Sequence, residues 1–282
     1  MEVINGLKLA GDLLKEIKVK VDAAKIRPRL DIVFVGDNEA SKVYVQKKIQ
    51  AGHEAGIEVE LHYFQETTTS EISNLIKTLA EDTKVHGIIV QLPAPGIDLG
   101  QVLPLIPLHK DVDGLNPFTL GKLWQDQKVL VPATVKAIIK VFKYIADHES
   151  LSLESYLTGK NILIINRSLI IGKPLAAVLL SYNATVTIAH SLSRDFEQIL
   201  STSDIVISGT GKSGFMDSSK LKSGAVLIDA GFSKTAKKIN GDVDISKLNN
   251  SISYLSPVPN GIGPLGVACL LENTFEAATT VV

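Results

Sequence analysis

The stretch "ASKVYVQKK", residues 40–48, sets Tyr44 and Lys48 four positions apart directly after the apolar run "LDIVFVG". Residues four apart share a face of an α-helix, so a ring and an amine project the same way, one turn separated, near the entry end of a helix that leaves a buried strand. Ser41 is the expected N-cap of that helix, since its hydroxyl can accept from a first-turn amide. Taken alone, the stretch supports two readings: a functional amine beside a ring, or a solvated charge beside a packing residue.

A second kind of chemistry, the holding of a dinucleotide, needs a strand, a tight turn of small residues, and a helix whose N-terminal amides and dipole face phosphate. Two segments compete for it. The letters GxGxxG occur in "GTGKSG", Gly209 to Gly214, after the apolar "DIVIS" and with Asp229 twenty residues beyond Gly209. The following "FMDSSKLKSG" is short and soon meets a glycine, and Val206 stands where a P-loop needs its first glycine. The other segment is "NILIINRSLIIGKPLAAVLLSYNATVTIAHS". Here a buried strand runs into Asn166, Arg167 and Ser168, Gly172 and Pro174 precede an apolar helix, and a second strand follows. Arg167 after the first strand and Ser191 after the second offer a cation and a hydroxyl where an adenosine 2′ position would lie, and guanidinium suits a 2′-phosphate. The sequence logic favours this second segment over a reading of Arg167 as surface charge and Gly172 as a helix-packing residue.

The elements that must position these residues are legible as short β-branched runs between longer helical patterns. The strands are "LDIVFVG", "VELHYF", "GIIVQL", "NILIIN", "ATVTIAH", "DIVIS" and "AVLIDAG". Strands alternating with helices form parallel βαβ units, and strands covered on both faces read as nearly continuous apolar runs. The series breaks between residues 92 and 160, and the polar "HESLSLESYLTGK" places a domain boundary near residue 150. The C-terminal "LGVACLLENTFEAATTV" has helical spacing and follows the Gly/Pro-rich "SPVPNGIGPLG".

Composition narrows the function classes. With 282 residues, two domains are expected, and 45% hydrophobic with 21% charged residues argues against a disordered or fibrous chain. The 29 basic and 30 acidic residues nearly cancel, and no basic stripe interleaved with aromatics marks a nucleic-acid surface. Cys269, the single cysteine, excludes an internal disulfide, and the six histidines show no ligand spacing with carboxylates, so no metal site is expected. The N-terminal residues lack the pattern of a secretory signal and no apolar run approaches the roughly 18 residues that span a bilayer. A cytoplasmic protein without membrane or nucleic-acid partners is the expectation.

Eight segments in order resemble the bifunctional methylenetetrahydrofolate dehydrogenase/methenyltetrahydrofolate cyclohydrolase family: "SKVYVQKK", "GIIVQLPAP", "KDVDGLNPF", "PATVKAI", "NRSLIIGKP", "ATVTIAHS", "GDVD" and "SPVPNGIGPLGVACLLENT". They run from near residue 36 to near residue 275. The resemblance implies an α/β fold of two domains, each with a mainly parallel sheet covered by helices and with a cleft between them. Residues 1–150 would be a folate-binding catalytic domain rejoined by a C-terminal helix at 264–282, and residues 151–263 a Rossmann-type nucleotide-binding domain. It implies NADP as cofactor, with NAD as the alternative, a folate substrate, and a homodimer.

The same resemblance distributes the roles. Tyr44 and Lys48 fall in the folate site with Lys48 catalytic, and Gln91 of "VQLP" hydrogen-bonds the lysine between Val90 and Leu92. Asp113, the second aspartate of "KDVDG", holds the pterin, and Pro259, Asn260, Gly261, Ile262 and Gly263 border the substrate. Asn166, Arg167 and Ser168 take the place of the family's "GRS" on the cofactor side, with Ser191 nearby and Phe232 facing the cofactor. The chain departs from the family pattern where Asn166 and Asn260 replace glycines, Gly266 replaces a threonine and Ala133 a cysteine. Asn166 can still adopt φ > 0 but brings a side chain toward the cofactor.

The implied reaction is oxidation of 5,10-methylenetetrahydrofolate to the methenyl cation, which water opens to 10-formyltetrahydrofolate. The second step needs a base, and a lysine with an ordinary pKa near 10.4 must be depressed to serve. Gln91 can accept from Lys48 without adding charge, whereas a carboxylate there would hold the lysine protonated. Tyr44 offers a flat surface for the aminobenzoate ring, and Asp113 an acceptor pair for the pterin. A non-catalytic relative that keeps the fold would have lost Lys48, and a monofunctional dehydrogenase would need a weak hydrolytic step.

Overall fold

A computed structural model describes residues 1–231, 233–234, 239–244, 248 and 252–280. The chain runs through β1 (Glu2–Val3), α1 (Gly6–Ala24), β2 (Arg29–Val35), α2 (Glu39–Ala55), β3 (Glu58–Phe64), α3 (Thr69–Glu81), β4 (Gly87–Gln91), α4 (Leu99–Val102) and α5 (Pro117–Leu123). It continues through α6 (Ala133–His148), α7 (Leu153–Leu157), β5 (Asn161–Ile165), α8 (Gly172–Ser181), β6 (Thr185–Ile188), α9 (Phe196–Thr202) and β7 (Ile205–Ser208). The last elements are β8 (Val226–Asp229), β9 (Ser233–Lys234), β10 (Ile239–Asn240), β11 (Tyr254–Ser256) and α10 (Ile262–Thr279). Two compact units result: Ala10–Ala133 with the chain from Val267, and Met1–Leu9 with Thr134–Gly266.

The unit that begins at Ala10 holds a parallel sheet in the order β3-β2-β4. Its central strand is buried along both faces, which is why "LDIVFV" reads as an unbroken apolar run. Val33 and Val35 pack with Ile88 and Val90 against Ile72, Ile76 and Leu79 of α3. The chain passes from β2 to β3 on one side and then crosses to β4 on the other. The carboxyl ends of β2 and β4 therefore form a topological switch point, where open α/β sheets bind ligands. Asp31 is the polar residue inside β2, fully buried. Arg29 donates to both its oxygens at 2.9 and 2.8 Å, and His62 Nε2 donates at 2.7 Å.

The other unit carries six parallel strands in the order β1-β11-β8-β7-β5-β6. Leu163, Ile165, Val206, Leu227 and Leu255 build the core on one face. From β5 the chain moves to β6 on one side and to β7, β8 and β11 on the other, so its switch point lies at the carboxyl ends of β5 and β7.

The division between units falls at Ala133/Thr134, not near residue 150. Helix α6 buries Val135, Ile138, Val141, Phe142 and Ile145. Its outer turns are tied to β1 and β11: Tyr144 Oη donates to Glu2 Oε1 at 2.8 Å and His148 Nδ1 lies 3.0 Å from Tyr254 Oη. The polar stretch after α6 is thus a connection inside one unit. Strands β1 and β11, of two and three residues, were too short to stand out in the sequence.

Candidate active site

Helix α2 begins three residues earlier than the sequence placed it. Its N-cap is Asn38, whose Oδ1 accepts from Ser41 N at 3.0 Å, so Ser41 is a buried first-turn residue and not the cap. Carboxamide oxygens cap as well as hydroxyls, and the preceding Asn38 captures the helix first. This shift puts Tyr44 in the second turn and Lys48 in the third, on one face, both half-buried.

Lys48 Nζ donates to Gln91 Oε1 at 2.8 Å, across from α2 to the last residue of β4. Gln91 Nε2 donates to Leu92 O at 2.9 Å. That second bond uses the amide hydrogens on the backbone carbonyl and turns the carboxamide oxygen to the lysine. Val90 is buried beneath, and Leu92 is half-buried beside it. Burial pushes the Lys48 ammonium below the ordinary lysine value, and the charge of Asp113 offsets part of the effect. Asp113 is pushed above the ordinary carboxylate value by burial, with Lys48 opposing. Burial also raises the Tyr44 phenol, which keeps it a neutral O–H. An amine, a carboxamide and a carboxyl thus gather at a switch point, with the phenol one helical turn from the amine and the amine less basic than an ordinary lysine.

The turn that presents Asp113 is held from several sides. Asp111 is buried and accepts from Leu115 N at 3.1 Å, Asn116 N at 3.0 Å and Thr119 Oγ1 at 2.6 Å. Lys110 Nζ donates to the carbonyls of Leu79, Ala80 and Asp82 at the end of α3. Gly114 has φ +69°, and a Cβ there would lie 2.6 Å from Pro132, so only glycine fits. From α10, buried Asn273 Nδ2 donates to Val112 O and Val131 O, both at 2.8 Å. Of "KDVDG", then, the first two residues hold the turn and Asp113 is left for other work. Sequence reasoning assigned no role to Asp111 or Asn273; their motifs "KDVDG" and "LLENT" were the available signal.

In the other unit, the two loops that competed as dinucleotide sites flank the same switch point. Asn166 Nδ2 donates to Gly209 O, joining them. The segment after β7 has no α-helix, only a 3-10 turn at Ser218–Lys220, as the short polar spacing indicated. Asp229 is spent on the backbone, accepting from Gly231 N, Asp242 N and Val243 N at 2.9 to 3.1 Å. It is buried at the end of β8, unavailable to a ribose. Asp242 Oδ2 in turn accepts from Ser208 Oγ and Thr210 N, both at 2.6 Å, and so fixes the start of the second loop.

After β5, helix α8 follows at Gly172, where a Cβ would meet Asn166 O at 2.0 Å. This close approach of helix to strand is what the third glycine of a dinucleotide turn provides. Arg167 and Ser191 are exposed at this edge, and Ser168 is half-buried. Asn166 does not take a positive φ. Its side chain turns inward, with Oδ1 accepting from Ser168 N at 2.7 Å and Gly172 N at 3.1 Å. Pro259 to Gly263 lie in this unit, after β11. Asn260 has φ +73°, and Gly261 is wedged against Pro257 O, 2.2 Å from where a Cβ would stand. Phe232 lies outside the described residues. Among the described residues no group of His, Cys, Asp and Glu has the arrangement of a metal site.

Comparison with known proteins gives a family match over each part of the chain. The model of the tetrahydrofolate dehydrogenase/cyclohydrolase catalytic domain matches residues 4–113, and that of the family's NAD(P)-binding domain matches residues 132–282. The chain belongs to the tetrahydrofolate dehydrogenase/cyclohydrolase family. A Bifunctional protein FolD of Listeria innocua is 39% identical over 99% of this chain and 98% of its own. One from Caldanaerobacter subterraneus is 36% identical over 98% and 96%. The crystal structure of the bifunctional FolD of Campylobacter jejuni superposes with a TM-score of 0.92 at 35% identity, covering 99% of this chain and 98% of that one. The Trypanosoma brucei methylenetetrahydrofolate dehydrogenase-cyclohydrolase, solved with NADP and an inhibitor, gives 0.90 at 30%, covering 98% and 96%. Asn260 stands at a positive φ that its side chain tolerates better than most. Ala133 is buried at the start of α6 and brings no thiol.

Proposed function

We infer that this chain is a bifunctional enzyme: it oxidises 5,10-methylenetetrahydrofolate to the 5,10-methenyl compound with NADP and hydrolyses that to 10-formyltetrahydrofolate. The observation that carries the reading is the Lys48–Gln91 hydrogen bond, in which a depressed amine faces a neutral acceptor.

In our reading NADP, when bound, takes the hydride. The β5 edge fits a dinucleotide, because the Gly172 approach is built for one and Arg167 offers a planar cation with Ser191 for the 2′-phosphate. The remaining steps belong to the chain's own groups. Tyr44 lays its ring against the aminobenzoate, and Asp113 accepts from the pterin amino group and ring N–H. In the hydrolytic step water adds to the methenyl carbon and gives a proton to Lys48 Nζ; the bond from that carbon to N5 then breaks, the remaining hydroxyl proton passes to N5, and the formyl group is left on N10. Gln91 holds the amine in place through the cycle without the charge that would keep it protonated. We assign folate binding to the unit beginning at Ala10 and cofactor binding, through Arg167, Ser168, Ser191 and Phe232 at the edge that Asn166 opens, to the other. A homodimer and a cytoplasmic setting complete the proposal.

The test is an absorbance assay with methylenetetrahydrofolate and NADP or NAD, following the reduced nicotinamide and the methenyl species. Reduction that prefers NADP, with the methenyl signal rising and then decaying faster than it does without enzyme, is the expected result. No reduction with either cofactor would refute the proposal.

A further inference from the structure

The turn from Asn166 to Gly172 is closed from within by the side chains of Asn166 and Ser168. At the head of α8, Ile171 N donates to Ser168 Oγ at 3.1 Å, Gly172 N to Asn166 Oδ1 at 3.1 Å, and Lys173 N to Ser168 O at 3.0 Å. Pro174 has no N–H, and Leu175 N donates to Ile171 O at 2.9 Å. Each N–H that a helix start ordinarily turns toward an anion therefore already has a partner. Asn166 Oδ1, accepting from Ser168 N and Gly172 N together, stands where a phosphate oxygen would stand. The same carboxamide reaches Gly209 O, so it also spans the crevice between the β5 and β7 loops. The orientation is fixed by its partners, since two N–H groups require the oxygen and a carbonyl requires the amide nitrogen. A glycine at this position would have no side chain with which to do any of this.

We propose that Asn166 is an internal substitute for phosphate at the cofactor edge: it withholds the Ser168 and Gly172 amides from the pyrophosphate common to NAD and NADP, so that dinucleotide affinity in this chain rests on side-chain contacts at the adenosine 2′ end. The inference rests on the dinucleotide reading of this edge. NAD and NADP share the pyrophosphate, so the withheld contact lowers both affinities by one factor. NADP retains the Arg167 contact and NAD has none to fall back on. The device thus sets the absolute affinity for NAD low without itself altering the ratio between the two cofactors.

The experiment is titration calorimetry of the full chain with NADP and with NAD, for the wild type, Asn166→Gly and Asn166→Asp. Asn166→Gly frees two amides for a charged acceptor, so both dissociation constants should fall together by about threefold to tenfold, with their ratio unchanged. Asn166→Asp keeps the acceptor but fixes a negative charge where phosphate approaches, so both should rise. A merely structural role for Asn166 predicts instead that Asn166→Gly weakens both cofactors, and that result, or no change, overturns the proposal. A change confined to NADP overturns it too, since it would make Asn166 a support for Arg167. Thermal melting reports whether Asn166→Gly folds; if it does not, unweakened binding by Asn166→Asp is the contradicting result. Wild-type chain that binds neither cofactor would instead overturn the dinucleotide reading itself.

Discussion

Lys48 and Gln91 meet as amine and carboxamide, 2.8 Å apart, with the carboxamide locked by its own bond to Leu92 O. A neutral acceptor leaves the protonation of Lys48 to burial, which lowers its pKa, and to Asp113, which opposes.

Gln91→Glu tests that balance. A carboxylate at hydrogen-bond distance favours the ammonium form, so the Lys48 pKa rises and the free amine at neutral pH becomes scarcer. The rate of methenyltetrahydrofolate hydrolysis should climb with pH as the amine deprotonates, and in Gln91→Glu that climb should move to higher pH. Each unit of displacement costs about tenfold at neutral pH. A pH–rate profile superimposable on that of the wild type would show that residue 91 does not set the protonation of Lys48.

Arg167→Ala separates the cofactors. Loss of a charge-assisted contact to the 2′-phosphate should weaken NADP by about 1.5 to 3 kcal/mol and leave NAD nearly unchanged. Equal losses for both, measured by calorimetry, would remove Arg167 from the 2′ position.

Much of this was legible because burial on both faces writes itself as unbroken apolar runs, as in β2, β4, β5 and β7. The helix face bearing Tyr44 and Lys48 followed from spacing alone. Other features depend on contacts distant in sequence and leave no local mark. Asn273 reaches Val112 O from 161 residues away, and Asp242 reaches Ser208 from 34. The domain boundary was misplaced because a polar stretch marks a surface connection, whereas the burial of the α6 face decides which unit owns the helix. Asn166, read from the sequence as able to keep a positive φ while bringing a side chain toward the cofactor, instead keeps a negative φ and folds that side chain onto its own turn.

Asp31 provides a stability prediction independent of catalysis. Burial pushes its carboxyl up, but the bonds from His62 and Arg29 outweigh that and hold it below the ordinary carboxylate value. A depressed folded pKa means stability that is fully present above the unfolded value near 3.9 and lost as pH falls through the folded value. Asp31→Asn leaves Arg29 without its buried partner and should cost about 3 to 5 kcal/mol in urea unfolding at pH 7. The difference between variant and wild type should shrink in acid below the ordinary carboxylate pKa. A difference independent of pH would mean that charge plays no part in the pair.

The most direct test of the account is the hydrolysis of methenyltetrahydrofolate by Lys48→Met, followed in the absence of nicotinamide cofactor. Methionine keeps much of the length and apolar stem of lysine but removes the amine, so folding and the surrounding packing are retained while the proton acceptor is lost. The rate should fall by at least about 10²-fold, the usual consequence of losing a general base. Hydrolysis near the wild-type rate would contradict the central claim and make Lys48 a buried charge without a catalytic task.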